Sequence, residues 1–271
     1  MSTLRVAAAQ FEAGTDVEAN RLAVTELIAT AAPTGDLVVL PENAMYSDPG
    51  KTQPDLCYSE TVDGQFVAAL MKSAANSGVH VVCGMTETNA DDPRRPFNTL
   101  VYVNSQGQLV DVYRKIHLYD AFGYKESDKV TAARIDRPLM FEIAGIKVGA
   151  ATCYDLRFPE IFRWIADEGA DLIALPAAWA SGPAKEFHWE TLLRARAIEN
   201  TIYMVGSGQT GPSCAGHSMI VDPMGVTIAS AGEAAGAIAS GIVSSDRIES
   251  VRATNPSLKG RRFGVTPLDR Q

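Results

Sequence analysis

Two stretches of the chain read alike. RVAAAQ (5–10) leads through a helical segment to DLVVLPE (36–42), and KVGAAT (147–152) leads through a helical segment to DLIALPA (171–177). Each is an apolar run of strand length, then a helix, then a second apolar run opened by Asp. In the first copy Val24, Leu27, Ile28 and Ala31 recur at helical spacing within 16–32; the helix of the second copy, near 159–168, is shorter. A chain that repeats a β-α-β unit lays parallel strands in a sheet and covers the sheet with helices, so the fold class is α/β, built from two related halves. In open α/β sheets ligands sit beyond the carboxyl ends of the strands. Two residues with chemistry stand at such ends: Glu42 directly after DLVVLP, and Cys153 directly after KVGAAT.

The remaining segments fit the same plan. A second helix is expected over 63–77, followed by strands VHVVCGMTE, NTLVYVN and LVDVYRK, the last two joined by the hairpin-like loop SQGQ. A polar loop fills 116–137, and LMFEIAG precedes the second repeat. A helix over 184–200 and strands YMVGSGQ, GHSMIVDP, VTIAS and AIASGIV follow, leaving a polar, Arg-rich tail. The expected division is one domain over 1–245 and a tail over 246–271.

Composition narrows the function classes. With 46% hydrophobic and 21% charged residues, the 271-residue chain has the balance of a soluble globular protein. Its net charge of −8 and the absence of any block of like charges argue against nucleic acid; the doublets Arg94-Arg95 and Arg261-Arg262 read as solvated surface. MSTLRVAAAQFE reads directly as a strand and lacks the pattern of a signal peptide. No apolar run reaches the roughly 18 residues that span a bilayer. Cys57, Cys83, Cys153 and Cys214 are scattered, with no metal-ligand spacing to His80, His117, His188 or His217. Such thiols fit a cytoplasmic protein without a disulfide framework.

Cys83 lies in an apolar strand, Cys57 in a polar loop, and Cys214 in the loop GPSCAGHS with no base beside it. A lone cysteine is most simply a small apolar filler. Cys153 differs by position, because a turn between strand and helix can present its sulfur, together with the Tyr154 N–H, to the strand-end crevice. A thiol with a pKa of about 8.5 is only a few per cent thiolate at neutral pH and needs a base or a cation. His117, in YRKIHLYD, is one candidate base. Glu42 is the other, because burial raises a carboxyl towards neutrality. A base at His117 predicts that His117→Ala destroys activity while Glu42→Gln spares much of it. Lys115, at the end of LVDVYRK, could stabilise a thiolate or an oxyanion. Each residue also has an ordinary reading: Glu42 as a loop carboxylate, Lys115 as a solvated strand-end charge.

Taken in order, PEN (41–43), YRKIHLY (113–119) and CYDLRFPE (153–160) resemble the three catalytic signatures of the nitrilase superfamily of carbon–nitrogen hydrolases. The resemblance continues through HWETLLRARAIEN (188–200) and GHSMIVDPMG (216–225) and covers the chain to about residue 245. It implies a four-layer α-β-β-α sandwich and a homodimer or higher homo-oligomer, with the C-terminal tail in the interface. It implies Glu42 as general base, Lys115 as electrostatic stabiliser, Cys153 as nucleophile and Glu126 as a second active-site carboxylate; His117 then becomes structural. Neither metal nor organic cofactor is required by such a route, and the partner is a small-molecule amide. The flanking motifs are most similar to the branch acting on small amides of dicarboxylic or keto acids, which includes omega-amidases and deaminated-glutathione amidases. Hydrolysis of nitriles or N-carbamoyl compounds, or a non-catalytic redox-sensing thiol, are the alternatives. For an acidic substrate, Arg157 is the candidate carboxylate ligand, or else the ion-pair partner of Glu160. Trp179 is either pocket wall or core, and Phe122 and Tyr124 are placed to close over the substrate.

Overall fold

The computed structural model of the chain describes residues 1–48 and 58–268; Cys57 lies outside the described residues. The first half runs β1 (Thr3–Ala9), α1 (Val17–Ala31), β2 (Leu37–Val39), α2 (Gln65–Ser77), β3 (His80–Glu87), β4 (Phe97–Val103) and β5 (Leu109–Arg114). A two-residue-stranded hairpin, β6 (Asp120–Ala121) and β7 (Tyr124–Lys125), interrupts the polar loop. The second half runs β8 (Leu139–Ile143), β9 (Ile146–Ala150), α3 (Pro159–Asp167), β10 (Leu172–Ala177), α4 (Lys185–Asn200), β11 (Tyr203–Gly208), β12 (Met219–Val221) and β13 (Thr227–Ser230). β14 (Ile238–Ser244) then returns to pair antiparallel with β1, and α5 (Ser245–Thr254) follows.

The expected duplication is visible in the topology. β1, β2 and β3 are parallel neighbours in one six-stranded sheet, in the order β14-β1-β2-β3-β4-β5. β9, β10 and β11 are parallel neighbours in the other, in the order β13-β12-β11-β10-β9-β8. The same aspartate opens the second strand of each unit and ties it to the first. The Asp36 carboxylate accepts from the Arg5 amide and its own N–H donates to the Arg5 carbonyl; Asp171 and Lys147 repeat both bonds.

Alternation along the strands builds the layers. Leu4, Val6 and Ala8 of β1, with Leu37 and Val39 of β2, join the core shared with the second sheet and with α3 and α4. Ala7, Ala9, Val38 and Leu40 point the other way, into a core with Val24, Leu27 and Ile28 of α1 and Phe66, Val67 and Leu70 of α2. The result is an α-β-β-α sandwich. Asp16 caps α1 by accepting from the Glu18 and Ala19 amides, and Pro159 opens α3. The segment expected as a polar tail begins as α5, whose Ile248 and Val251 are buried, so the packed body extends past residue 245. Among the described residues, no helix is long and apolar enough to cross a membrane.

Candidate active site

The ends of β2, β5 and β9 meet at one cavity of about 700 Å³. It is lined by Glu42, Lys115, Glu126, Cys153, Tyr154 and Arg157, with Trp179, Phe122 and Tyr124 also in its wall. The residues that the resemblance implies, and the expected pocket-wall residues, are therefore in one place. The alternative base His117 is not in the lining; its Nδ1 is 2.7 Å from Asp155 Oδ1 and its ring stacks on Phe158 with centroids 3.9 Å apart.

Cys153 opens a short 3-10 helix, Cys153–Arg157, immediately before α3. Its φ of 43° lies in the left-handed region, which costs a non-glycine residue about 1–3 kcal/mol. The turn is held from beneath by Asp155, fully buried, which accepts from the Thr152 amide (2.8 Å) and the Tyr113 hydroxyl (2.7 Å) as well as facing His117. From the side, Arg196 of α4 donates twice to the Leu156 carbonyl, at 3.1 and 2.7 Å. Asp155→Asn replaces one accepting oxygen by a donor among groups that mostly donate. It is expected to lower stability by about 1–3 kcal/mol, read as a fall in thermal midpoint.

Glu42 and Lys115 are each 2% exposed. Lys115 Nζ donates to Glu42 Oε1 (2.9 Å) and to Glu126 Oε2 (2.9 Å), and Asn98 Nδ2 bridges the same carboxylates at 2.7 and 3.3 Å. The other oxygen of Glu42 accepts from the Ala178 amide at 2.7 Å, and its carbonyl accepts from Gln209 Nε2 at 2.9 Å. Gly84 of β3 leaves room for this backbone: a Cβ there would meet Glu42 Cα at 2.5 Å. Gly84→Ala is expected to displace Glu42 and cut kcat/KM tenfold or more. The fold should lose about 1–3 kcal/mol, with both effects read by kinetics and thermal melting.

The ionisation of the trio follows from burial set against pairing. Burial opposes the charged form of Glu42 most strongly. The charge and hydrogen bond of Lys115, the adjacent Cys153 thiol and the Ala178 amide together outweigh it, and the carboxyl is held below its ordinary value. The expectation that burial lifts Glu42 towards neutrality is thus corrected: the ammonium wins. Burial also works against Lys115, yet the charges of Glu126, Glu42 and Cys153 hold its pKa well above the usual lysine value. Burial, then the Glu42 charge, push the Cys153 thiol well up, against the pull of Lys115. The resting site therefore holds thiol, carboxylate and ammonium side by side.

Arg157 makes no ion pair with Glu160 or any other carboxylate among the described residues. Its guanidinium carbon lies 4.9 Å from the Trp179 ring centroid and 5.5 Å from that of Phe122. Trp179 is both wall and core: it is buried, donates Nε1–H to the Lys185 carbonyl at 2.8 Å, and packs on Trp189. Phe122 and Gly123, with φ of 56° and 80°, form the tight turn of the β6–β7 hairpin at the cavity mouth. Cys83 is a fully buried core thiol, whereas Cys214 lines the same cavity as Cys153, its thiol pushed up to about 12 by burial and by Glu42 and Glu12.

Sequence reasoning missed Asn98, Ala178 and Lys185. Ala178 could have been found from the repeat, since it follows DLIALPA where Asn43 follows DLVVLPE. Asn98 could have been found from the pairing of β4 with β5, where Lys115 N–H donates to the Asn98 carbonyl at 2.8 Å. Nothing in the sequence marks Lys185.

Comparison with known proteins bears on this arrangement. The model of the family described as Carbon-nitrogen hydrolase matches residues 5–253. A deaminated glutathione amidase of Escherichia coli is 40% identical over 264 residues, covering 97% of this chain and 99% of that protein. One from Synechocystis is 34% identical over 275 residues, covering 97% and 100%. The crystal structure of Saccharomyces cerevisiae Nit3, a member of branch 10 of the nitrilase superfamily, superposes with a TM-score of 0.84 at 29% identity, covering 97% of each chain. With the family matched from the first strand into the last helix, the chain belongs to the carbon–nitrogen hydrolases of the nitrilase superfamily and is an amidohydrolase.

Proposed function

We propose that the chain hydrolyses a small, carboxylate-bearing amide to acid and ammonia through a thioester on Cys153. The observation that carries this is the buried cluster in which Lys115 Nζ lies 2.9 Å from both Glu42 and Glu126 in the cavity that Cys153 lines, an arrangement that holds the Glu42 carboxyl below its ordinary value and leaves it able to take the thiol proton. Glu42 takes the Sγ proton as sulfur attacks the amide carbonyl, so the negative charge moves from the carboxylate to the oxyanion. Lys115 and the Tyr154 N–H stabilise that oxygen; one such donor is worth about 3–4 kcal/mol. Ammonia leaves with the proton held by Glu42. Water, deprotonated by Glu42, then cleaves the thioester. Glu126 and Asn98 keep Lys115 and Glu42 in register throughout.

The substrate reading rests on two supports. Relatives at 40% and 34% identity carry the name deaminated glutathione amidase. The cavity of about 700 Å³ has room for an amide of that size, with Arg157 in its wall to meet a carboxylate. The redox-sensor reading is disfavoured by burial, since Cys153 is 8% exposed whereas sensing cysteines are solvent-accessible. The test is ammonia release from deaminated glutathione, α-ketoglutaramate, succinamate, an N-carbamoyl amino acid and a simple nitrile. Release from a carboxylate-bearing amide supports the reading. Release from the carbamoyl compound or nitrile alone keeps the mechanism and replaces the substrate class. Silence across the panel contradicts the reading.

A further inference from the structure

The cavity holds a second buried ammonium besides Lys115, one for which the proposed mechanism has no use. Lys185, the first residue of α4, is 7% exposed and lines the same cavity as Cys153. Its Nζ donates to the Tyr119 hydroxyl at 2.8 Å and sits 3.6 Å from the centroid of the Phe122 ring. The guanidinium of Arg157 faces the same ring at 5.5 Å, and its buried Nε has no hydrogen-bond partner. Among the described residues neither cation has a carboxylate within ion-pair distance; both carboxylates beside the thiol are committed to Lys115.

Two like charges converge on the one Phe122 ring, with only the Tyr119 hydroxyl, the His188 imidazole (Nδ1 3.4 Å from Arg157 Nη2) and aromatic faces about them, and no carboxylate among the described residues offsets them. Aromatic faces offset a cation by only about 0.5–2 kcal/mol. Burial and the nearby Arg157 hold the Lys185 pKa below its ordinary value, which reports the same imbalance. An anion entering between them would satisfy both. The backbone is arranged to keep them together: Trp179 donates to the Lys185 carbonyl while its ring supports Arg157.

We propose that Lys185 and Arg157 form one anion subsite under the β6–β7 hairpin that holds a carboxylate at the far end of the substrate, and that Lys185 sets the preference for acidic over uncharged amides. This rests on the amidase reading above and adds to it the specificity residue. Tyr119, whose amide donates to Glu126 Oε2 at 2.6 Å, joins this subsite to the carboxylate that holds Lys115.

Titration calorimetry on the wild type, Lys185→Met and Lys185→Arg tests it, with glutarate as the acid probe and glutaramide as its uncharged counterpart. Glutarate is expected to bind the wild type more tightly than glutaramide. Lys185→Met is expected to weaken glutarate about 10- to 100-fold, the size of a lost charge-assisted contact, and Lys185→Arg to recover most of that. In turnover, Lys185→Met should lower the ratio of kcat/KM for glutaramate over glutaramide by a similar factor, through KM. Equal glutarate affinity in wild type and Lys185→Met overturns the proposal, as does a wild type that prefers glutaramide or binds neither. An unchanged kcat/KM ratio with both values reduced also overturns it, by assigning Lys185 a structural role. Glutarate binding lost in Lys185→Met, without ammonia release by the wild type from any amide, supports the subsite and sinks the amidase reading instead.

Discussion

Cys153→Ala is expected to abolish ammonia release, by about 10⁴-fold or more, while leaving the fold intact. The size of the loss follows from the chemistry: without sulfur there is no atom to carry the acyl group, and the remaining residues can only bind and polarise the amide. The retained fold follows from the local structure. The position has φ 43°, and alanine meets the same left-handed penalty as cysteine, so the turn gains no new strain. The contacts that fix the turn belong to Asp155 and the Leu156 carbonyl, not to the thiol. A thermal midpoint within a few degrees of the wild type, together with a silent ammonia assay, is the expected pair of results. Appreciable turnover by the folded variant would remove Cys153 from the chemistry.

Lys115→Met should damage both rate and stability. The side chain bridges Glu42 and Glu126 in a dry site, so its loss strands two buried carboxylates; breaking such a pair costs about 3–5 kcal/mol. The oxyanion loses a donor worth about 10²–10³ in kcat. Glu42 loses the charge that offsets its burial, so its pKa should rise and the base become partly protonated at neutral pH. Together kcat/KM should fall more than about 10³-fold.

The pH dependence gives the sign. In the wild type the Glu42 carboxyl lies below its unfolded value of about 4.3, so its contribution to stability is full above that pH and lost on acidification through the lower folded value. In Lys115→Met the folded value lies above the unfolded one, so this contribution is present at low pH and lost as pH rises. The variant's thermal midpoint should therefore gain on the wild type between pH 8 and pH 5. Parallel melting curves across that range would contradict the pairing.

The fold was legible because the chain states its β-α-β unit twice, and Asp36 and Asp171 mark the same point in both copies. The positions of Glu42, Lys115 and Cys153 were legible because each directly follows a strand-like run. Their charge states were not. The direction of the Glu42 shift depends on an ammonium 73 residues away in sequence, and local burial alone gives the opposite sign. Lys185 was hidden for a related reason: it belongs to the site only because the β6–β7 hairpin folds over the first turn of α4. α5 was hidden by composition, since Ile248 and Val251 are all that it buries among polar neighbours.

The most direct measurement is intact-protein mass spectrometry of the wild type, acid-quenched during turnover of the preferred amide and followed by peptide mapping. A transient mass increase equal to the acyl group, carried by the peptide containing Cys153 and gone after the substrate is exhausted, is the predicted result. Steady ammonia release with no acyl mass on Cys153, or with the adduct on Cys214 instead, would contradict the assignment of Cys153 as the nucleophile.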